Sequence, residues 1–129
     1  NDPGVASGHG APVAGGWLGA AAQGDGAPIP SHIADQLRGR QFNSFRAFRE
    51  TFWKAVFNDE KLADLFNETS LNEMKKGKAP IVRMNDSAGA RVKYELHHKV
   101  GLAEGGDLYN ADNINIVTPK AHVEIQKGL

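Results

Sequence analysis

Apolar positions along the chain fall into three regimes. Over 1–30 they are scattered among glycine and proline, over 31–77 they recur at three- and four-residue spacing, and from 91 they alternate with polar residues before helical spacing returns. The middle regime is the clearest. Phe45, Phe48, Phe52, Trp53 and Val56 share one side of a helix while Arg49, Glu50 and Lys54 fall outside the stripe, so 44–57 is expected to be the core helix. Such a stripe can also line a ligand box, but core packing is the commoner use of it. Ser31 is expected to cap a short helix through Leu37, with Ile33 and Leu37 on its buried face, and Asp59 another that carries Leu62, Leu65 and Phe66. "SLNEMKKG" reads as a capping box, with Ser70 at the N-cap, Glu73 three residues on and Gly77 as terminator.

The flanking regimes read differently. Glycine and proline make regular structure unlikely over most of 1–30, which is expected to be an irregular strap anchored by Trp17 and Leu18, with His9 at the surface. His32, in the first turn of its helix, is expected to have no chemical role. Residues 78–90 form an expected loop broken by Pro80, Asn85, Asp86 and Gly89. "RVKYELHH" (91–98) then reads as a strand, "NINIV" (113–117) as a second, and "TPKAHVEIQKG" as a helix with Thr118 at the N-cap and Pro119 at its first position. The fold class is mixed α/β, mainly helical, in a single domain 1–129: a strap over 1–30, helices over 31–77 and a strand, long loop, strand, helix unit over 91–127.

Composition narrows the chemistry. With 129 residues, 40% of them hydrophobic, the chain suits one domain with a modest core. The absence of cysteine excludes disulfides and thiolate metal sites, leaving histidine and oxygen as ligands for any metal. No apolar run approaches the roughly 20 residues that span a bilayer. The Gly/Ala-rich start lacks the basic region of a signal peptide. Beginning at Asn1 rather than methionine, the sequence is expected to be a piece of a longer protein.

Fifteen Lys+Arg balance 15 Asp+Glu, which by itself argues against strong nucleic-acid binding. Distribution changes the picture. The first thirty residues hold no Lys or Arg, whereas Lys75, Lys76, Lys78, Arg83, Arg91, Lys93 and Lys99 gather in one stretch against only Asp86 and Glu95. A charge cluster is commonly just a solvated face, but this one adjoins His97 and His98, so an anionic substrate becomes plausible.

Strand geometry points adjacent residues to opposite faces, so His97 and His98 are suited to different tasks. The terminal helix carries His122, with Gln126 one turn on, and packed across the strands it can offer both towards His97 around a divalent metal. From spacing alone, a metal site and an ordinary satisfied polar cluster both stay open.

A resemblance bears on the choice. "RVKYELHHKVGLAEGGDLYNADNINIVTPKAHVEI" resembles the H-N-H nuclease motif as found in the DNase domains of colicins and S-type pyocins. The likeness extends to "GAPVAGGWL", "GDGAPIPSHIADQLRGRQF" and "SFRAFRETFWKAV", hence over nearly the whole chain. It implies a ββα-metal unit with His97 and His122 as metal ligands, His98 as general base and Asn113 as the residue that fixes the loop. Arg91 and Glu95 match a flanking arginine and glutamate. Gln126 stands where the family has a further histidine ligand, which puts zinc in question beside nickel or magnesium. The family's domains are also markedly basic, and this chain is neutral.

The function implied is a metal-dependent, largely sequence-nonspecific DNA endonuclease, the cytotoxic domain of a bacteriocin released by one bacterium and active in the cytoplasm of another. The alternative is a catalytically impaired DNA- or immunity-protein-binding form of the same fold. Besides DNA, the expected partners are the other domains of a longer toxin and an acidic immunity protein. That inhibitor would dock on Lys75, Lys78, Ile81, Val82 and Arg83, where a basic rim surrounds apolar residues expected to be exposed, Pro80 and Met84 among them.

Overall fold

The computed structural model describes residues 2–128; Asn1 and Leu129, the ends of the expected domain, lie outside the described residues. Helix α2 (Phe45–Phe57) is the centre of the core. Ser44 starts it by accepting a hydrogen bond from the Ala47 amide at 3.2 Å, and Phe48, Phe52, Trp53 and Val56 are each at most 1% exposed. Burying each such side chain contributes about 1.5–3 kcal/mol. Phe48 meets Phe45 and Phe42 at ring separations of 5.4 and 5.3 Å.

Around α2 lie α1 (Ser31–Leu37), α3 (Glu60–Ala63) and α4 (Glu68–Lys75), and among the described residues no helix is long and apolar enough to cross a membrane. Asp59 caps α3 as expected, accepting from the Leu62 amide at 3.0 Å. Two other starts differ from expectation. α1 has Pro30 at its N-cap, a residue with no side-chain acceptor, and the Ser31 amide donates to the Ala11 carbonyl at 2.8 Å. In α4 the cap is Asn67, accepting from the Ser70 amide at 2.9 Å, and Ser70 itself is buried, its hydroxyl accepting from the Ile81 amide at 3.0 Å. Asparagine caps as well as serine, and the earlier start frees Ser70 to satisfy that amide. Glu73 turns outward instead of closing a capping box, meeting Lys93 Nζ at 2.6 Å and Lys76 Nζ at 3.2 Å.

The strap is more regular than its composition suggests. Its β1 (Gly4–Val5) pairs antiparallel with β3 (Gln41–Phe42), and its β2 (Ala27–Pro28) forms one edge of a second sheet. That sheet has the order β2, β5 (Ile114–Val117), β4 (Glu95–His98), all antiparallel, with α5 (Pro119–Lys127) following β5. Trp17 anchors the strap as expected, 4% exposed, with its indole N–H on the Pro28 carbonyl at 2.7 Å. The expected strand over 91–98 is shorter than read: residues 91–94 pair instead with the segment before them, through Val82 N to Val92 O at 2.9 Å and Tyr94 N to Pro80 O at 3.0 Å. Residues 80–82 of the expected loop therefore run as an extended edge. Asn113 likewise precedes β5, ending a 3-10 turn over Ala111–Asn113.

Candidate active site

Strand β4 aligns His97 with Asn115 and His98 with Ile114, so the neighbouring histidines emerge on opposite faces. On one face the His98 ring lies 4.7 Å from that of Phe45, and its Nε2 is 2.9 Å from the Leu108 carbonyl. A carbonyl only accepts, so Nε2 carries a proton, and in the neutral ring Nδ1 is the nitrogen with the lone pair. On the other face the His97 ring stands 5.1 Å from that of His122.

His122 is delivered by the start of α5. Thr118 caps that helix, accepting from the Ala121 amide at 3.1 Å, Pro119 opens it, and the His122 amide closes its first backbone bond to Thr118 at 2.9 Å. The His122 Nδ1–H donates to Glu95 Oε1 at 2.8 Å, and Arg91 grips the same carboxylate with two donors, Nε at 2.8 Å and Nη2. Burial pushes the Glu95 carboxyl up, but the hydrogen bonds from Arg91 and His122 outweigh it and hold the group below its ordinary value. Glu95 in turn raises the Arg91 guanidinium. His97 is lowered by burial and by the neighbouring His122 and His98, with Asp25 opposing, so it is neutral with a free lone pair at neutral pH.

Asn113, 8% exposed, spends its side chain on the long loop. Its Oδ1 accepts from the Val100 amide at 2.8 Å, and its Nδ2 donates to the carbonyls of Val100 at 3.0 Å and Asp107 at 3.1 Å. The loop closes this tightly because Gly106 has no Cβ; one placed there would lie 1.9 Å from the Val100 oxygen.

The His97–His122 pair fits a metal ion in part. With nitrogen ligands at about 2.1 Å, two imidazoles on a tetrahedral ion have ring centres roughly 5 Å apart, and a ligating histidine commonly donates its other N–H to a carboxylate, as His122 does. Among the described residues no group of three His, Cys, Asp or Glu side chains could hold the ion. Gln126 sits one turn beyond His122 and is exposed, outside the hydrogen bonds that organise Glu95 and His122.

One expectation needs correction. Val82, expected on an exposed partner surface, is 6% exposed, and Pro80 is buried as well, whereas Ile81 at 39% and Met84 at 88% remain open. The reason is strand alternation: once 80–82 pairs with 92–94, consecutive side chains point to opposite faces. Lys75, Lys78 and Arg83 stay exposed around them. His32, expected to have no chemical role, makes a surface ion pair with Asp59 at 2.7 Å.

Beside the Glu95–His122 pair opens a cleft of about 680 Å³ whose lining includes Arg46, Arg49, Lys78, Arg91 and Lys93 against Glu50 and Glu95. Arg46 and Arg49 lie on the outer face of α2, and nothing in the sequence pattern marks them as site residues. On an amphipathic helix, arginines opposite the core stripe look like any solvated face.

Residues 4–127 match the family model described as the DNase domain of colicin and pyocin-S2. The chain is 58% identical over 126 residues to pyocin-S2 of Pseudomonas aeruginosa, covering 98% of this chain and 18% of that protein. To colicin-E7 of Escherichia coli it is 43% identical over 128 residues, covering 99% of this chain and 22% of the relative. It therefore spans about a fifth of the length of these relatives. Among solved structures, the pyocin AP41 DNase–immunity complex matches with a TM-score of 0.95 at 51% identity, covering 99% of this chain and 100% of that one. The mutant nuclease domain of pyocin S8, solved with its cognate immunity protein, matches with a TM-score of 0.93 at 50% identity, over 96% and 99% of the two chains.

Proposed function

The chain belongs to the colicin and pyocin DNase family, whose members hydrolyse DNA and are generally metal-dependent, and from that premise we propose that His97 and His122 hold one divalent ion while His98 is the general base. The observation that carries this reading is the split across β4: one imidazole faces a second imidazole, and its neighbour has its tautomer set by a carbonyl. When bound, the ion would polarise the scissile phosphate and assist the leaving oxygen. Zinc, nickel and magnesium are all candidates, the harder ion being favoured by an amide oxygen at position 126.

The protein's own groups do the rest. His98 Nδ1 takes the proton of the attacking water, a task typically worth about 10²–10⁴-fold. Glu95 orients His122 and neutralises Arg91 in the resting state; Arg91 then offers charge-assisted hydrogen bonds to a phosphate in the cleft. Arg46, Arg49, Lys78 and Lys93 supply the positive walls along which a phosphodiester backbone can run, which reconciles a neutral chain with a polyanionic substrate. Recognition through backbone charge reads no base sequence, so cleavage is largely nonspecific.

By the same reasoning the whole protein is a bacteriocin, released by its producer and active in the cytoplasm of the target cell, with this chain as its cytotoxic part. An acidic immunity protein would hold it inactive by docking on Ile81 and Met84 within the rim of Lys75, Lys78 and Arg83. A catalytically disabled binding module is not favoured, since the family's members hydrolyse DNA.

Plasmid nicking with and without divalent ions tests the proposal. His98→Ala is expected to lose most cleavage while keeping zinc or nickel affinity by calorimetry, and His97→Ala and His122→Ala to lose that affinity. Cleavage retained by His98→Ala removes it from the mechanism, and unchanged affinity in both ligand variants sinks the metal site.

A further inference from the structure

The strap does more than cover the core: its first residues run beside the segment that sets His98. The Ser7 amide donates to the Tyr109 carbonyl at 3.0 Å, the Ala111 amide donates to the Ser7 carbonyl at 2.8 Å, and the Tyr109 hydroxyl donates to the Asp2 carbonyl at 2.7 Å. Asp112 closes the contact, its carboxylate accepting from the amides of His9 at 3.1 Å and Gly10 at 2.9 Å. Between these lies Gly8, at φ +87, where a Cβ would stand 2.3 Å from Asn110 Oδ1 and 2.8 Å from the Ala111 amide. Asn110 in turn accepts from the Asp112 amide at 2.9 Å and so starts the turn that ends in Asn113.

The fastened segment carries the group on which His98 depends. The Leu108 carbonyl holds His98 Nε2 at 2.9 Å, one residue before the Tyr109 carbonyl that the strap engages. Asn113 grips the long loop from one side, and the strap grips 109–112 from the other. Asp112 is not among the residues lining the cleft, and its two acceptors are both spent on backbone more than a hundred residues away in sequence. A surface carboxylate needs no such partners for its own sake, since water would solvate it.

We propose that Asp112 is a positioning residue for the nuclease reaction: by fastening the N-terminal strap on residues 109–112, it fixes the Leu108 carbonyl and through it the tautomer and orientation of the His98 ring. The inference rests on the reading of His98 as the base.

The test compares wild type with Asp112→Ala, Asp112→Asn and Gly8→Ala, each verified as folded by circular dichroism. In Asp112→Ala the His9 and Gly10 amides lose hydrogen-exchange protection, the His98 Nε2–H exchanges faster and its ring 15N signals shift towards a mixture of tautomers. The kcat on duplex DNA falls about tenfold or more, as misplacement of a catalytic group predicts, with KM and zinc affinity within about twofold of wild type. Asp112→Asn keeps one acceptor oxygen and recovers part of the loss, and Gly8→Ala reproduces it from the strap side. If Asp112→Ala does not fold, the other two variants decide by the same readouts. Wild-type kcat with lost amide protection would leave the strap a mere cover and overturn the proposal, as would a fall in kcat with unchanged His98 ring signals. Failure of the base reading is separate: it shows as cleavage by His98→Ala, while the ring signals still report whether the strap reaches that histidine.

Discussion

Removing the Asn113 side chain is the sharpest perturbation of the loop that supports His98. Asn113→Ala deletes three hydrogen bonds, leaving the Val100 amide and the carbonyls of Val100 and Asp107 without their partners. Each such bond contributes about 1 kcal/mol net, and a partner left buried and unpaired costs more. The loop is open to solvent over 102–105, so water replaces part of what is lost, and the expected destabilisation is about 2–3 kcal/mol. For a domain of this size that corresponds to a fall in Tm of roughly 6–12 °C. Asn113→Asp discriminates further. It keeps the oxygen that accepts from Val100 but presents a second acceptor to two carbonyls, so it should be no better than alanine although it preserves shape. Thermal unfolding followed by circular dichroism gives the stability term, and plasmid nicking well below Tm isolates the effect on His98, expected to exceed about tenfold. A loss below about 1 kcal/mol, or an aspartate variant that behaves as wild type, would refute the loop-fixing role.

Three further outcomes are expected. Gln126→His places a third imidazole one turn from His122, so zinc affinity by calorimetry should rise at least about tenfold, or roughly 1.4 kcal/mol, and no rise would mean that α5 does not aim position 126 at the ion. Ile81→Ala should weaken binding of the cognate immunity protein by about 2 kcal/mol without reducing cleavage of naked DNA, and equal dissociation constants would locate the interface elsewhere. Hydrogen bonds from Lys93 and then Lys76 hold the Glu73 carboxyl at about 2 against an ordinary 4.5. A lowered folded-state value gives stability that is complete above the unfolded value and is lost as pH falls through the folded one. The Tm advantage of wild type over Glu73→Gln should thus be level from neutral pH to about 5 and vanish near pH 2, and a difference that persists there would contradict the ion-pair account.

Short-range physics decides what the residues alone make legible. The α2 stripe and the Thr118–Pro119 start of α5 were legible because a helix satisfies its hydrogen bonds within four residues and its caps within three. The residues proposed for the H-N-H site came from resemblance, in an order kept along the chain although His97, Asn113 and His122 belong to different elements. Tertiary structure decided the rest, wherever the competing partner is far away. Glycine and proline argued against strands in the strap, yet Ala27–Pro28 pairs with Ile116 and Asn115, whose edge offers hydrogen bonds that no local signal announces. Ser70 lost the cap to Asn67 because the Ile81 amide needed its hydroxyl. Val82 went inside and Ile81 outside only when 80–82 found 92–94, since a strand's register, not its composition, assigns its faces. Asp112 reads as an ordinary turn residue until the strap, a hundred residues earlier, brings two amides to it.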